Sequence, residues 1–371
     1  MWLYLNISVF LCVMIVTWFF ISKIILFSYK KHLLDEPDIR KIHEISVPRL
    51  GGITFLPAVI LSVFLVFSLF ILSGVKINFQ DFIINIKSII LSGCAIFILY
   101  LTGITDDIIR IKYQTKLIAQ IISGILLFSG GFIFDNFHGF LGLYEVPFIL
   151  QLILTILFTL LITNSINLID GIDGLASAIS SLAFIVYGIY FYYLGIYIYA
   201  FICFASLGSQ IPFFYYNVFG KAKEKNKIFM GDSGALTIGG LLCVFSMRIN
   251  MLSDTYSFIN PSIIAFSPLL IPCLDVVRVF FRRVIKRRNP FMPDTSHIHH
   301  KLLGAGLPPH FVTLVIISLG FGFFLLSFWL SNHLNFTYIF LIDIILWFLF
   351  NFIISRIISH RDFSWNKKIY Q

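Results

Sequence analysis

Long apolar runs broken by short polar stretches make up most of this chain. Eleven runs stand out: Trp2–Phe27, Gly51–Ser73, Ser88–Ile104, Thr115–Phe134, Pro147–Thr163, Leu175–Tyr193, Gly195–Tyr215, Ser233–Ile249, Ser262–Phe280, Phe311–Asn332 and Asn335–Ile354. A helix that crosses a bilayer needs about 20 mostly apolar residues. The pattern therefore predicts an all-α integral membrane protein, a polytopic bundle of about 11 transmembrane helices. The first run has neither a basic leading segment nor a small-residue cleavage site, so it reads as a span rather than a signal peptide. The sixth and seventh runs meet at a very short turn near Gly195. The Gly- and aromatic-rich stretch Phe134–Val146 is expected to form a short hairpin at the interface. With no repeat and no low-complexity linker, residues 1–371 read as one membrane domain. Its motifs fall within 35–303, and 304–371 supply the last two spans and a cytoplasmic tail.

Composition names the solvent. The chain is 58% hydrophobic and 12% charged, against about 25% charged in soluble domains. That excludes an ordinary soluble enzyme, a disordered chain and a nucleic-acid binder, and makes the lipid bilayer the first partner. The net charge of +9 is unevenly spread: 24 of the 27 lysines and arginines fall in alternate loops, with only Lys76, Lys87 and Arg248 on the other side. By the positive-inside rule the N-terminus is outside and the C-terminus cytoplasmic. The five cysteines lie in apolar runs without a CxxC spacing and read as small apolar fillers.

The acids carry more information. Five of them sit in three short motifs, each at an expected cytoplasmic helix end. In TDDIIRIKYQTK, Asp106 and Asp107 are adjacent; like charges so close need a cation or a proton between them, or else form a solvated helix end paired with Arg110 or Lys112. In NSINLIDGIDGLA, Asn164, Asn167, Asp170 and Asp173 recur every three residues, which on a helix makes a slowly turning polar stripe. Gly171 and Gly174 allow a break there. In FMGDSG, Asp232 stands between glycines at the start of the eighth span, where it suits either an N-cap or a divalent metal holding a phosphate. Phe229, three residues earlier, suits stacking on a base or anchoring at the interface.

The basic side complements these acids. The segment RVFFRRVIKRRNPFMPDTSHIHHKLL places His297, His299 and His300 among lysines and arginines. No cysteine or carboxylate completes a tetrahedral zinc set there; contact with phosphate or proton handling fits better. A second basic segment, IRKIHEISVPRLGG, opens the second span with Arg40, Lys41, His43 and Arg49. Carboxylates that hold Mg²⁺ and cations that hold phosphates imply phosphoryl transfer between a cytosolic diphosphate donor and an acceptor in the membrane.

At VPRLGG, TDD, NxxNxxDGxDG, FMGDSG and HIHH, in that order from about Asp35 to Leu303, the chain resembles the polyprenyl-phosphate N-acetylhexosamine-1-phosphate transferase superfamily. It is closer to the WecA/TagO-type branch than to the MraY branch. The resemblance implies transfer of N-acetylhexosamine-1-phosphate, most simply GlcNAc-1-phosphate, from a UDP-sugar to undecaprenyl phosphate or another polyprenyl phosphate. UMP is released, and Mg²⁺, or Mn²⁺ in its place, is the cofactor. The setting is the bacterial inner membrane with the site facing the cytoplasm, and a homodimer is left open. By the same resemblance Asp232 is the metal ligand, and Asp106 and Asp107 are the catalytic acidic pair. Asn164, Asn167, Asp170 and Asp173 form the nucleotide- and catalysis-related stripe, and Phe229 packs on the uracil. Lys41 lies near the nucleotide, and His297, His299 and His300 mark the donor-side loop. Asp275 stands in a PxxD context, three residues before Arg278. Where the branch often has Arg this chain has Thr295, and Arg288 is the candidate replacement. The competing readings are an MraY-type phospho-N-acetylmuramoyl-pentapeptide transferase, against which HIHH argues, and an anionic-solute transporter. A transporter would show ionisable groups near mid-membrane and often inverted repeats.

Overall fold

The computed structural model describes residues 1–35, 46–74, 86–252, 260–289 and 296–360. Lys41 lies outside the described residues, as do Arg40, His43 and Thr295. A helix stands at each of the eleven expected positions: α1 (Trp2–Lys31), α2 (Phe55–Leu72), α3 (Ile86–Ile109), α4 (Tyr113–Ser129), α5 (Phe148–Ile169), α6 (Leu175–Tyr193), α7 (Tyr197–Phe214), α8 (Gly231–Asn250), the pair α9 (Pro261–Phe266) and α10 (Leu270–Ile285), then α12 (Pro309–Leu330) and α13 (Phe336–His360). Between the last three lies the short α11 (Ile298–Gly304). Among the described residues ten helical stretches are long and apolar enough to cross a membrane. The remaining expected span, α4, has 17 residues and packs between α3 and α5.

The ninth expected span is not one straight helix. A 3₁₀ turn, Ser267–Leu269, separates α9 from α10. Pro268 and Pro272 each lack the N–H that a continuous helix would use, so the ladder breaks where they enter it. The two strands, β1 (Leu34–Asp35) and β2 (Val47–Pro48), pair antiparallel, with Leu34 opposite Pro48. The expected hairpin over Phe134–Val146 is present. Asn136 bridges Glu145, and the Val146 N–H donates to the Asp135 carbonyl at 3.1 Å. It is pinned to the helix ends by His138, whose Nε2 lies 2.6 Å from the Asn250 carbonyl.

The core is organised about α8. In its most apolar window 89% of residues are buried, against 28% in α1, α2 and α13. Without a hydrophobic drive between helices in lipid, close backbone approach through small residues supplies the packing. A Cβ on Gly103 of α3 would fall 2.4 Å from the Ser233 Cα, and one on Gly239 of α8 would fall 2.7 Å from the Thr163 Cα of α5. These contacts hold the start of α8 against the ends of α3 and α5, where the acidic motifs lie. Gly103→Ala is therefore expected to cost about 1–3 kcal/mol by overpacking, read as a fall in thermal midpoint of the purified protein. Gly93→Ala, ten residues earlier with nothing within 4 Å of its Cβ position, should leave that midpoint unchanged.

Candidate functional site

Asp106 and Asp107 end α3, and both are 7% exposed. The Asp107 carboxylate faces the start of α8. Its Oδ1 accepts the Asp232 N–H at 2.8 Å and its Oδ2 accepts the Ser233 N–H at 2.9 Å. The first turn of α8 has no cap from its own side chains; Asp107 supplies one from another helix, and its negative charge meets the positive end of the helix dipole. The glycine before Asp232 is required by this approach. Gly231 has φ +71°, and a Cβ there would fall 2.6 Å from Asp107 Oδ2 and 2.1 Å from the Arg49 carbonyl oxygen.

The VPRLGG segment closes the same junction from the other side. Gly51 and Gly52 N–H groups donate to the carbonyls of Phe229 and Met230 at 3.0 and 2.8 Å, and the Phe229 N–H donates to Pro48 at 2.7 Å. A Cβ on Gly52 would overlap Gly234, 1.9 Å from its nitrogen. Arg49 then reaches the end of α3: its Nη2 donates to the Asp106 carbonyl at 2.7 Å and its Nε to the Asp107 carbonyl at 3.0 Å. A guanidinium on the last carbonyls of a helix satisfies acceptors that have no intrahelical partner. Three sequence motifs are thus one interlocked junction.

Lys116, in the first turn of α4, places its ammonium between two acids. Nζ lies 2.9 Å from Asp106 Oδ2 and also donates to the Asp232 carboxylate. Asp173 is paired with Lys227 in the same way. The Asn/Asp stripe is not one helical face. α5 stops at Ile169, and Asp170 is its C-cap residue. Gly174, with φ +76°, then starts α6, its N–H donating to Asn217 Oδ1 at 2.6 Å. Asn217 lies in a π-helical turn, Tyr215–Phe219, and its Nδ2 donates to the Ile228 carbonyl at 2.8 Å. That one side chain ties the IDGIDG turn to the approach to FMGDSG.

These elements surround a pocket of about 490 Å³, whose lining includes Asp107, Asn167, Asp170, Asp173 and Asp232 with Arg49, Lys227, Phe229 and His300. Asp170 is held well above the usual carboxylate range, first by burial and then by the carboxylates of Asp232, Asp173 and Asp107. Asn164 lies off the lining; its Nδ2 donates to Gln120 Oε1 at 3.1 Å and to the Leu160 carbonyl. Asp106 is behind the lining, held by Lys116. Arg288 is exposed beyond the end of α10 and does not line the pocket.

The histidines divide. His300 lines the pocket. His297 is 3% exposed, with Nδ1 2.8 Å from Asp275 Oδ2. Asp275 also receives Arg278 at 2.7 Å, in the expected i, i+3 pair, and the Ile298 N–H at 3.1 Å, which caps α11. His299 packs edge-on against the IDGIDG turn, so close that a Cβ on Gly171 would fall 2.5 Å from its Nε2. Burial and the neighbouring His300 and His297 push its pKa down to about 3, so the ring is neutral. Among the described residues no group of three or more His, Cys, Asp or Glu side chains is placed to hold a metal ion.

The sequence reading gave no site role to Lys116, Lys227 or Asn217, and named Arg49 only as part of a basic segment. Lys116 had one available signal, its place at the start of the helix that follows the acidic pair. Asn217 had none, because its position depends on a π-turn that the pattern does not announce.

With this geometry in view, the comparisons with known proteins fall into place. Residues 88–250 match the profile of glycosyl transferase family 4. The matched stretch contains the acidic pair, the Asn/Asp stripe and FMGDSG. Among its relatives is a probable undecaprenyl-phosphate N-acetylglucosaminyl 1-phosphate transferase of Bacillus subtilis (strain 168), 29% identical over 325 residues, 85% of this chain and 82% of that protein. The undecaprenyl-phosphate alpha-N-acetylglucosaminyl 1-phosphate transferase of Escherichia coli (strain K12) is 28% identical over 289 residues, 75% of this chain and 71% of that one. A decaprenyl-phosphate N-acetylglucosaminephosphotransferase of Mycobacterium leprae (strain TN) is 27% identical over 325 residues, 81% and 78% of the two chains.

The two-point cap makes a sharp demand on Asp107. In Asp107→Asn one of the two acceptor oxygens becomes an amide, and a buried N–H loses its partner. A loss of about 1–3 kcal/mol is expected, seen as a lower thermal midpoint in detergent. Glu224→Gln, at an exposed surface pair with Lys221, should show no such shift.

Proposed function

We propose that the pocket transfers N-acetylglucosamine-1-phosphate from UDP-N-acetylglucosamine to a polyprenyl phosphate at the cytoplasmic membrane face, releasing UMP and starting lipid-linked glycan assembly. The observation that carries the reading is the convergence of residues from five separated motifs on one pocket at a single end of the helices. Its wall holds both acids and cations. The names of the relatives supply the sugar and the lipid.

The charge problem sets the mechanism. Donor diphosphate and acceptor phosphate are both anions, so repulsion must be cancelled before an acceptor oxygen attacks the phosphorus next to the sugar. Lys227, Arg49 and Lys116 contribute fixed positive charge around the pocket. The donor set of carboxylates and the Asn167 amide offers only hard oxygen ligands in the lining acids, and the crowding around Asp170 calls for a cation. Mg²⁺ keeps several waters and takes one or two carboxylates together with substrate phosphates, which suits an open set better than a closed cage. Asp232 and Asp170 are the residues that would hold it, and when bound it would neutralise charge on the diphosphate.

No enzyme base is required by this chemistry. A phosphate monoester has a second pKa of about 6, so the acceptor is mostly dianionic at pH 7. Asp107 is occupied with two N–H donors and Asp106 with Lys116, which makes them positioning groups for Asp232. Bond formation from the acceptor oxygen accompanies loss of UMP, whose phosphate takes the electron pair of the broken P–O bond. Phe229, in the lining, is placed to pack on the uracil. His300 lines the same pocket and would contact the donor.

Two measurements test the reading. Purified protein with Mg²⁺, a polyprenyl phosphate and labelled UDP-N-acetylglucosamine should release UMP and form a lipid-linked sugar. Absence of UMP with every UDP-N-acetylhexosamine offered would reject it. Asp232→Asn should lower turnover by about 10²–10³, the usual loss for one electrostatic contact to the reacting phosphate. Chelation with EDTA should abolish turnover until Mg²⁺ is restored, and Mn²⁺ binding followed by its paramagnetic signal should weaken in the same variant.

A further inference from the structure

The last span carries a polar stripe that neither the motifs nor the matched region includes. Asp343, Trp347, Asn351 and Ser355 recur at every fourth residue of α13, and the first three are at most 5% exposed. A spacing of four keeps them on one face, and polar groups in a membrane helix turn towards protein. Asp343 accepts from Ser327 of α12 at 2.9 Å. Asn351 receives Lys301 of α11: Nζ donates to its Oδ1 at 3.1 Å and to its backbone carbonyl at 3.2 Å. The Asn351 Nδ2 donates to the Trp347 carbonyl at 3.0 Å, which fixes the amide with its oxygen towards the lysine.

α11 has seven residues, too few to hold a helical form alone. Its direction is set by its tethers. Asp275 caps its N-terminus, His299 lies against Gly171, and Lys301 is bound to α13. His300, which reaches the pocket, is the residue between the second and third tethers. Release of Lys301 would let the last turn of α11 fray and take the aim of His300 with it. Burial and the nearby Arg278 and Arg282 lower the Lys301 pKa to about 8; the two acceptors from Asn351 are what this half-buried ammonium has in place of water.

We infer that Asn351 is a positioning residue for the reaction: through Lys301, the last span aims His300 at the substrate pocket. The inference rests on the transferase reading for its kinetic consequence and on the hydrogen bonds alone for its structural one, so the experiment has two arms. In the first, hydrogen exchange is followed in the full-length protein. Asn351→Leu should speed exchange of the α11 amides from Ile298 to Gly304 by tenfold or more and leave those of α8 unchanged. Equal exchange in both proteins would overturn the inference whatever the reaction proves to be. In the second arm, UMP release is measured. Asn351→Leu should lower kcat/KM for the UDP-sugar about tenfold, and Asn351→Asp, which still accepts from Lys301, should restore it to within about threefold of wild type. Lys301→Met should match Asn351→Leu, and the double variant should lose no more than either alone, as expected for residues acting as one unit. Additive losses, or failure of the aspartate to rescue, would overturn the positioning role. A wild-type protein that releases no UMP would instead count against the transferase reading, with the exchange arm still deciding the tether.

Discussion

The structure turns on a carboxylate that caps a helix it does not belong to. Asp107 ends α3, yet its two oxygens are spent on the first N–H groups of α8. Removing a buried carboxylate from water is unfavourable; two short N–H bonds at the positive end of a helix offset that cost and leave the group useful. The same bonds fix the backbone of Asp232 in the pocket wall. Gly231, Gly51, Gly52 and Gly103 follow from this contact, since each lies where a side chain would strike backbone or the carboxylate. A second junction repeats the device: Asp275 of α10 caps α11 through the Ile298 N–H and holds His297. In both cases a buried aspartate places the short segment that lines the pocket.

Charge is arranged in the same economical way. The net charge of +9 suggested a protein that receives anions, but the cations nearest the pocket are already held by acids or by helix-end carbonyls. Lys116 joins Asp106 and Asp232, Lys227 joins Asp173, and Arg49 spans the end of α3. Asp170 is the exception, pressed by three carboxylates. Three cations thus face more carboxylates than they can neutralise, and the surplus of negative charge falls around Asp170.

The helical plan was legible because lipid enforces it. Every spanning segment must satisfy its own backbone, so apolar length alone located all eleven helices, and even the hairpin over Phe134–Val146 followed from its composition. The break between α9 and α10 was readable in principle from Pro268 and Pro272, but an unbroken hydropathy run concealed it. The site was less legible. Asp107 looked like half of a catalytic pair because a sequence shows that two acids are adjacent and not what each one touches. Asn164 shared the spacing of Asn167 and Asp170, yet the helix ends at Ile169 and it turns to Gln120. His297 and His299 appeared beside His300 as equals, whereas two of the three are buried in the support of the third. Lys116 reaches Asp232 across 116 residues and Asn217 reaches Gly174 across 43, information that no local pattern holds.

We propose that the acidic pair is a scaffold and that the acceptor phosphate supplies its own nucleophile. Isotope exchange tests that claim most directly. Labelled UMP is incubated with unlabelled UDP-N-acetylglucosamine and the protein, with metal present and the polyprenyl phosphate withheld. Direct displacement predicts no label in the nucleotide sugar until the lipid is added, because the bond to UMP breaks only as the acceptor attacks. Label entering the nucleotide sugar without lipid would mean that an enzyme carboxylate takes the phosphoryl group, and would contradict the role assigned to Asp106 and Asp107.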